Sequence, residues 1–225
     1  MRGFSIKSVQ IDGVTIKWLG HSGFLLEGAG KRIYIDPYML SEEPDFEDKA
    51  DILLITHDHL GHCRPADIRG VRRSDSTTLI PEKCSLNFRG DARRICEGDI
   101  LAEGLAIKGI RVEVVPAYTP KKPYHPRGKG VGYIVELGGL RIYHAGDTDF
   151  TPEMRKLRVD VALLPIGGGS TMNEEEAALA AGTFAPRVVI PMHYGGLKNK
   201  LADPEKFKAL VQKRNPKIEV IILEN

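Results

Sequence analysis

The chain has 225 residues, of which 42% are hydrophobic and 28% charged. That is enough for a full-sized hydrophobic core and too apolar for a chain disordered throughout. Lys and Arg number 32 against 30 Asp and Glu, a formal charge of +2, so there is no electrostatic case for a nucleic-acid-binding domain. The opening residues, Met-Arg-Gly-Phe-Ser-Ile-Lys, are broken by charge, and no apolar run approaches a membrane span. Three cysteines, Cys63, Cys84 and Cys96, form no Cys-x-x-Cys pair and read as idle thiols of a reducing, cytoplasmic compartment.

Strand signals come first. Residues 14–19 and 24–27 are rich in β-formers and are separated by Gly20-His21-Ser22-Gly23, a turn. Residues 32–36 form a third strand, ended by Pro37, and the acidic stretch 41–50 reads as a surface loop with a helical turn. Asp51-Ile52-Leu53-Leu54-Ile55-Thr56 has the continuous apolar character of a strand buried on both faces. A short helix is expected at 65–68, strands at 77–80, 105–107 and 111–115, and a helix at 82–88. Residues 118–130 hold three prolines, four Lys or Arg and two glycines and form the longest loop, a place where function concentrates.

The second half begins again with strands at 131–137 and 140–144 around a Gly138-Gly139 turn, and another follows at 159–165. Asn173, with Glu176 three residues on, opens a helix as a capping box. A strand at 188–191, a helix at 204–213 with Pro at its first turn and a strand at 218–223 complete the count. Hairpins followed by buried strands alternating with helices occur once in each half. Two mixed sheets packed face to face with helices outside satisfy that order, as a single domain over residues 1–225.

The chemistry concentrates in Thr56-His57-Asp58-His59-Leu60-Gly61-His62, three histidines within six positions directly after a buried strand. Imidazole is the commonest metal ligand, and a strand end is stiff enough to aim several of them at one point. His57 and His59 share a face in an extended segment, and the turn beyond Gly61 brings His62 round. Asp147 and His193 also lie just past strands, so strand ends converging on one edge make a site of these residues. His21 and His144 read as structural. Gly167-Gly168-Gly169-Ser170 reads as a tight loop near the site, with phosphate wrapping as the alternative. Lys121, Lys122, Arg127 and Lys129 form a solvated face or an attractor for phosphorylated or acidic substrates.

Six segments now resemble the metallo-β-lactamase-fold hydrolases in order along nearly the whole chain, near the branch that includes ascorbate-6-phosphate lactonase-like proteins. They are Trp18-Leu19-Gly20-His21-Ser22-Gly23-Phe24, Ile35-Asp36-Pro37, the His57–His62 segment, Tyr143-His144-Ala145-Gly146-Asp147-Thr148, Thr171-Met172-Asn173 and Pro191-Met192-His193-Tyr194-Gly195. The resemblance implies a four-layer αββα sandwich, an α/β fold, with a metal site at one edge. It places His57 and His59 on a first ion, His62 and His193 on a second, and Asp147 as the bridge. Two positions depart from the family's pattern. The Asp of His-x-His-x-Asp-His falls on Gly61, leaving that coordination place to water, and Tyr118 stands where a later histidine is expected, with His125 the nearest substitute.

The implied activity is metal-assisted hydrolysis of an ester, lactone or phosphoester in a small-molecule substrate, by water acidified towards a pKa of about 7. The cofactor expected is Zn2+, one or two ions, with Mn2+ or another divalent ion as the alternative. Asp58 and His125 are the catalytic candidates, Asp58 as general base, as support for a ligand or simply exposed. The rival is a degenerate member that binds a metal or ligand without turnover. Neither a membrane nor a nucleic-acid partner is expected, and a homo-oligomer remains open.

Overall fold

The computed structural model describes residues 7–38, 40, 48–87, 90–195 and 202–224. In chain order the strands of the first half are β1 (Ser8–Ile11), β2 (Val14–Gly20), β3 (Gly23–Gly28), β4 (Lys31–Ile35), β5 (Ile52–Leu54), β6 (Thr77–Pro81) and β7 (Ala92–Ile95), with helix α1 (Pro65–Val71) between β5 and β6. They form one seven-stranded sheet in sequence order. The strands β1 to β4 are an antiparallel meander, and β4 to β7 are parallel.

The second half repeats this plan. It contains β8 (Ile100–Leu101), β9 (Arg111–Ala117), β10 (Gly130–Leu137), β11 (Leu140–His144), β12 (Val161–Pro165), β13 (Val188–Met192) and β14 (Glu219–Val220). Helix α2 (Glu174–Phe184) joins β12 to β13, and α3 (Pro204–Arg214) precedes β14. The strands β8 to β11 are antiparallel and β11 to β14 parallel, in a second seven-stranded sheet. Among the described residues no helix is long and apolar enough to cross a membrane.

Period-two alternation divides each central strand of the first sheet between two cores. Phe24, Leu26, Ile33, Ile35, Ile52 and Leu54 enter the cluster shared with Val112, Val114, Tyr133, Val135 and Ile142 of the second sheet. Their neighbours Leu25, Tyr34, Leu53 and Ile55 pack instead with Ile68 and Val71 of α1. The fully buried strands β12 and β13 share the larger cluster with Ala177, Ala181 and Phe184 of α2 and Phe207 and Val211 of α3. These are the two mixed sheets with flanking helices that the element order calls for.

The Asn173 side chain accepts the Glu176 N–H while the Glu176 carboxylate accepts the Asn173 N–H, the reciprocal cap expected from the sequence. Two expectations are corrected. Residues 82–87 form a turn and irregular chain in place of a helix, because the Arg94 guanidinium takes the carbonyls of Pro81, Cys84 and Leu86 that a helix would need. Residues 105–107 are not a strand: Glu103–Leu105 is a 3-10 turn and only Ile107 bridges Ile110. Most of the stretch 41–50 lies outside the described residues, as does Phe88. The short strands β1, β7 and β8 carry no clear sequence signal; β1 and β7 are edge strands with mostly exposed or half-buried side chains.

Candidate metal centre

In the parallel part of each sheet the carboxyl ends of the strands reach one edge. Asp36 follows β4, His57 to His62 follow β5, Asp147 follows β11 by three residues, and His193 follows β13. The turn between β2 and β3 adds His21, and the loop between β9 and β10 adds His125. Three residues here, His21 (φ 51°), Asp36 (φ 44°) and His193 (φ 62°), hold left-handed backbone that non-glycine residues adopt only when the surroundings enforce it.

Asp147 lies at the centre. Its Oδ2 is 3.1 Å from His193 Nε2, 3.4 Å from His62 Nε2, 3.4 Å from His125 Nε2 and 3.9 Å from His57 Nε2. Its other oxygen, Oδ1, is buried without a hydrogen-bond partner. Potential metal donors fall into three groups: His57, His59 and His125; His57, His62 and Asp147; and His21, His62 and His193. Within each group the donor atoms lie within 4.8 Å of one another. Only His59 is exposed, and it marks the mouth of the site.

Hydrogen bonds behind the imidazoles fix which nitrogen faces inward. A carboxylate can only accept, so His62 Nδ1–H donates to Asp36 Oδ2 at 2.7 Å and leaves Nε2 towards Asp147. The Thr56 hydroxyl donates to the same oxygen at 2.5 Å and therefore accepts from His57 Nδ1–H at 3.0 Å. His125 Nδ1–H donates to the Ser170 carbonyl at 2.9 Å. The inward Nε2 atoms of His57 and His125 are thus bare acceptors, 3.1 and 3.3 Å from His59 Nδ1. One N–H on His59 can satisfy only one of them. A divalent cation satisfies all three lone pairs and the unpartnered Asp147 oxygen, and mixed imidazole and carboxylate donors suit such an ion.

The electrostatics agree with that chemistry. Burial lowers His57, His125 and His144, and burial together with the His193 and His62 rings lowers His21 to about 3. Burial would lower His62 as well, but the Asp147 and Asp36 carboxylates outweigh it and raise that residue to about 10. Burial would raise Asp147, yet His193 and His62 hold it well below the usual carboxylate range. Positive charge is welcome at the centre, and most of the imidazoles decline to supply it themselves.

The structure therefore brings together His57, His59, His62, Asp147 and His193, and it places His125 beside His57 and His59, the alternative to Tyr118 in the sequence reading. Tyr118 points elsewhere, its hydroxyl donating to Glu153 at 3.0 Å under the Arg127 guanidinium. Asp58, expected as a catalytic candidate, is exposed, meets Ser85 Oγ only at 3.5 Å and belongs to no donor group. His144 uses both ring nitrogens structurally, towards the Ser22 carbonyl at 2.8 Å and the Gly146 N–H at 3.2 Å. Sequence reasoning gave Asp36 and Thr56 no role and took His21 for a structural turn residue. A carboxylate at a strand end directly before proline was the available signal for Asp36.

Known proteins resemble this chain along most of its length. Residues 15–193 match the β-lactamase superfamily domain. The chain is 38% identical to a UPF0173 metal-dependent hydrolase of Thermococcus kodakarensis, covering 94% of this chain and 96% of that one. It is 36% identical, with the same coverage, to a UPF0173 metal-dependent hydrolase of Pyrococcus horikoshii. Its fold is similar to that of Igni18, a metallo hydrolase from Ignicoccus hospitalis, with TM-score 0.75 and 30% identity over 94% of this chain and 95% of that one. With its histidines and aspartate gathered at one sheet edge, the chain belongs to the metallo-β-lactamase superfamily and, with these relatives, to its metal-dependent hydrolases.

Proposed function

We propose that this hydrolase cleaves an ester, lactone or phosphoester bond in a small soluble substrate, with Zn2+ as its first-choice ion and Mn2+ as the alternative. The observation that carries the reading is Asp147 Oδ2 ringed by four imidazole nitrogens at 3.1 to 3.9 Å. His57, His59 and His125 would hold one ion, and His62 and His193 a second, with Asp147 shared between them. A bound ion of this kind supplies Lewis-acid polarisation and brings the pKa of water towards about 7.

The chain's own residues hold that arrangement ready. Asp36, through Thr56 and directly, keeps His57 and His62 in the tautomer that turns Nε2 inward, and Ser170 does the same for His125. Asp147 stays ionised at neutral pH under the influence of His193 and His62. Gly61 and Tyr118 favour a non-catalytic member, and His125 beside His57 and His59 supports the hydrolase at the second of those positions. Half of the basic loop is already committed: Lys122 pairs with Asp149 and Glu176, and Arg127 with Glu97 and Glu153. An uncharged lactone or ester therefore suits the site as well as a phosphorylated substrate. The free thiols Cys63, Cys84 and Cys96 support a cytoplasmic setting.

A panel of p-nitrophenyl acetate, a homoserine lactone and bis-p-nitrophenyl phosphate tests the reading. Chelated protein should turn over none of them, and added Zn2+ or Mn2+ should restore hydrolysis of at least one class. Fully loaded protein no faster than the free ion on all three would defeat it.

A further inference from the structure

Gly61 lies directly before His62 in the histidine segment, and its backbone is outside the left-handed region, so no turn geometry calls for glycine there. Space does. A Cβ built on Gly61 would stand 2.7 Å from His21 Nε2 and 2.9 Å from His21 Cδ2, closer than real Cβ contacts come. The His21 ring occupies the volume that any side chain at position 61 would enter. Its nitrogen sits just beyond the virtual Cβ, roughly where an oxygen of an aspartate at 61 would be.

That ring is held from behind. The His21 carbonyl accepts the Trp18 indole N–H at 3.0 Å and the His193 backbone N–H at 2.8 Å. Trp18 in turn stacks on Tyr194 at 4.8 Å. The left-handed φ of 51° at His21 turns the side chain towards the site. Its ring centroid is then 4.1 Å from that of His193 and 5.0 Å from that of His62, with donor atoms of all three within 4.8 Å of one another.

We infer that His21 is a metal ligand that takes the coordination place left open by Gly61. On the metal-centre reading given above, the second ion is held by His21, His62 and His193 together with the shared Asp147. Glycine at 61 leaves free the room that the His21 ring occupies. An imidazole in place of a carboxylate at that coordination place gives the loaded centre one more unit of positive charge. It also shifts preference from oxygen-seeking Mn2+ towards nitrogen-tolerant Zn2+ or Ni2+ at that place.

The test is metal binding by the full chain, stripped with chelator, titrated with Zn2+ by calorimetry and counted by elemental analysis after gel filtration. The parent should hold two ions. His21→Ala should keep one and weaken the other by about tenfold or more, since even losing a group behind a ligand commonly costs that much. Gly61→Asp alone should gain nothing, because it collides with His21, whereas the His21→Ala, Gly61→Asp double variant should regain the second ion. If His21→Ala binds two ions as tightly as the parent, His21 is not a ligand, although the metal centre stands. A parent that binds no ion defeats the metal-centre reading and this inference with it. A Zn2+-loaded crystal checks the same point without a variant. His21 Nε2 should lie about 2.0–2.1 Å from an ion, and an ordered ion at His62 and His193 with His21 out of reach overturns the inference.

Discussion

Asp36 belongs to none of the donor groups, yet its carboxylate orients two imidazoles and takes the Thr56 N–H at 2.8 Å as well. Asn tolerates the left-handed backbone about as well as Asp, so Asp36→Asn removes the charge and leaves the turn. Whichever way the amide lies, its NH2 faces a donor, either the Thr56 N–H or the Thr56 hydroxyl and His62 Nδ1–H, so the three bonds can no longer all be made. Zn2+ affinity, measured against a chromophoric chelator, should fall about 10–100-fold with little change in circular dichroism. The same residues set the pH response of the metal-free protein. His21, lowered to about 3, and the buried His57, His125 and His144 stay neutral in the fold, while the unfolded chain takes up protons below about pH 6.5. Stability is therefore lost as pH falls from there, and Asp147 adds to the loss once the pH falls through its depressed value. His62 runs the other way: its pairing with Asp147 and Asp36 is complete below about pH 6.5 and is lost as pH rises through about 10. Urea midpoints of chelated protein should peak near pH 6.5, and a midpoint climbing steadily to pH 10 would contradict this.

At the scale of elements, the turn after β11 shows how a strand end delivers a carboxylate to the histidine cluster. Gly146 has φ 64°, and a Cβ there would come within 2.6 Å of the Val131 carbonyl on the neighbouring strand β10. Only glycine lets the chain pass that close to β10 and bring Asp147 round to the histidines. Gly146→Ala combines about 1–2 kcal/mol for the left-handed backbone with overpacking of about 1–3 kcal/mol. Relief by a backbone shift would move Asp147 from its four neighbours. The variant should melt several degrees lower and retain less than one equivalent of Zn2+, as a thermal melt and elemental analysis will show. Normal metal content in a destabilised variant would separate the turn from the site.

For the molecule as a whole, the metal edge is where the two sheets are stitched together by hydrogen bonds. Tyr133 OH of β10 donates to the Ile55 carbonyl at 2.6 Å, and Val131 N–H donates to the Thr56 carbonyl at 3.0 Å. On the other side His193 N–H reaches the His21 carbonyl at 2.8 Å and His144 Nε2 reaches the Ser22 carbonyl at 2.8 Å. Donors from the second sheet thus hold the histidine-bearing turns of the first. Tyr133 is fully buried, so Tyr133→Phe keeps the packing and removes one buried donor. Such a loss costs about 1–3 kcal/mol, and each kcal/mol lowers the Tm of a chain this long by about 2–4 °C. Calorimetry should show that drop together with weaker Zn2+ binding, because Ile55 lies two residues before His57. An unchanged Tm would mean that the sheets do not depend on this link.

Local chemistry was legible in the sequence by itself. The β-forming runs at 24–27 and 32–36, the continuous apolar run at 51–56, the Asn173 capping box and the glycine turn at 138–139 depend on neighbours a few positions apart, and the structure keeps all of them. The strand-end positions of His57, His59, His62, Asp147 and His193 were legible for the same reason. What lay beyond local reading depended on the packing of one sheet on the other. His125 is 66 residues from His59, and His193 is 172 residues from His21; no periodicity records that such pairs meet. The placement of His125 beside His57 and His59 while Tyr118 turns to Glu153, the bonds of Asp36 towards two histidines and the filling of the space at Gly61 by His21 all follow from that meeting. The helix expected at 82–88 gave way likewise, to an arginine on β7 that binds the carbonyls a helix would have used internally. Propensity is settled within a segment, whereas a metal centre is a point shared by many segments, and only the closed sandwich brings them to it.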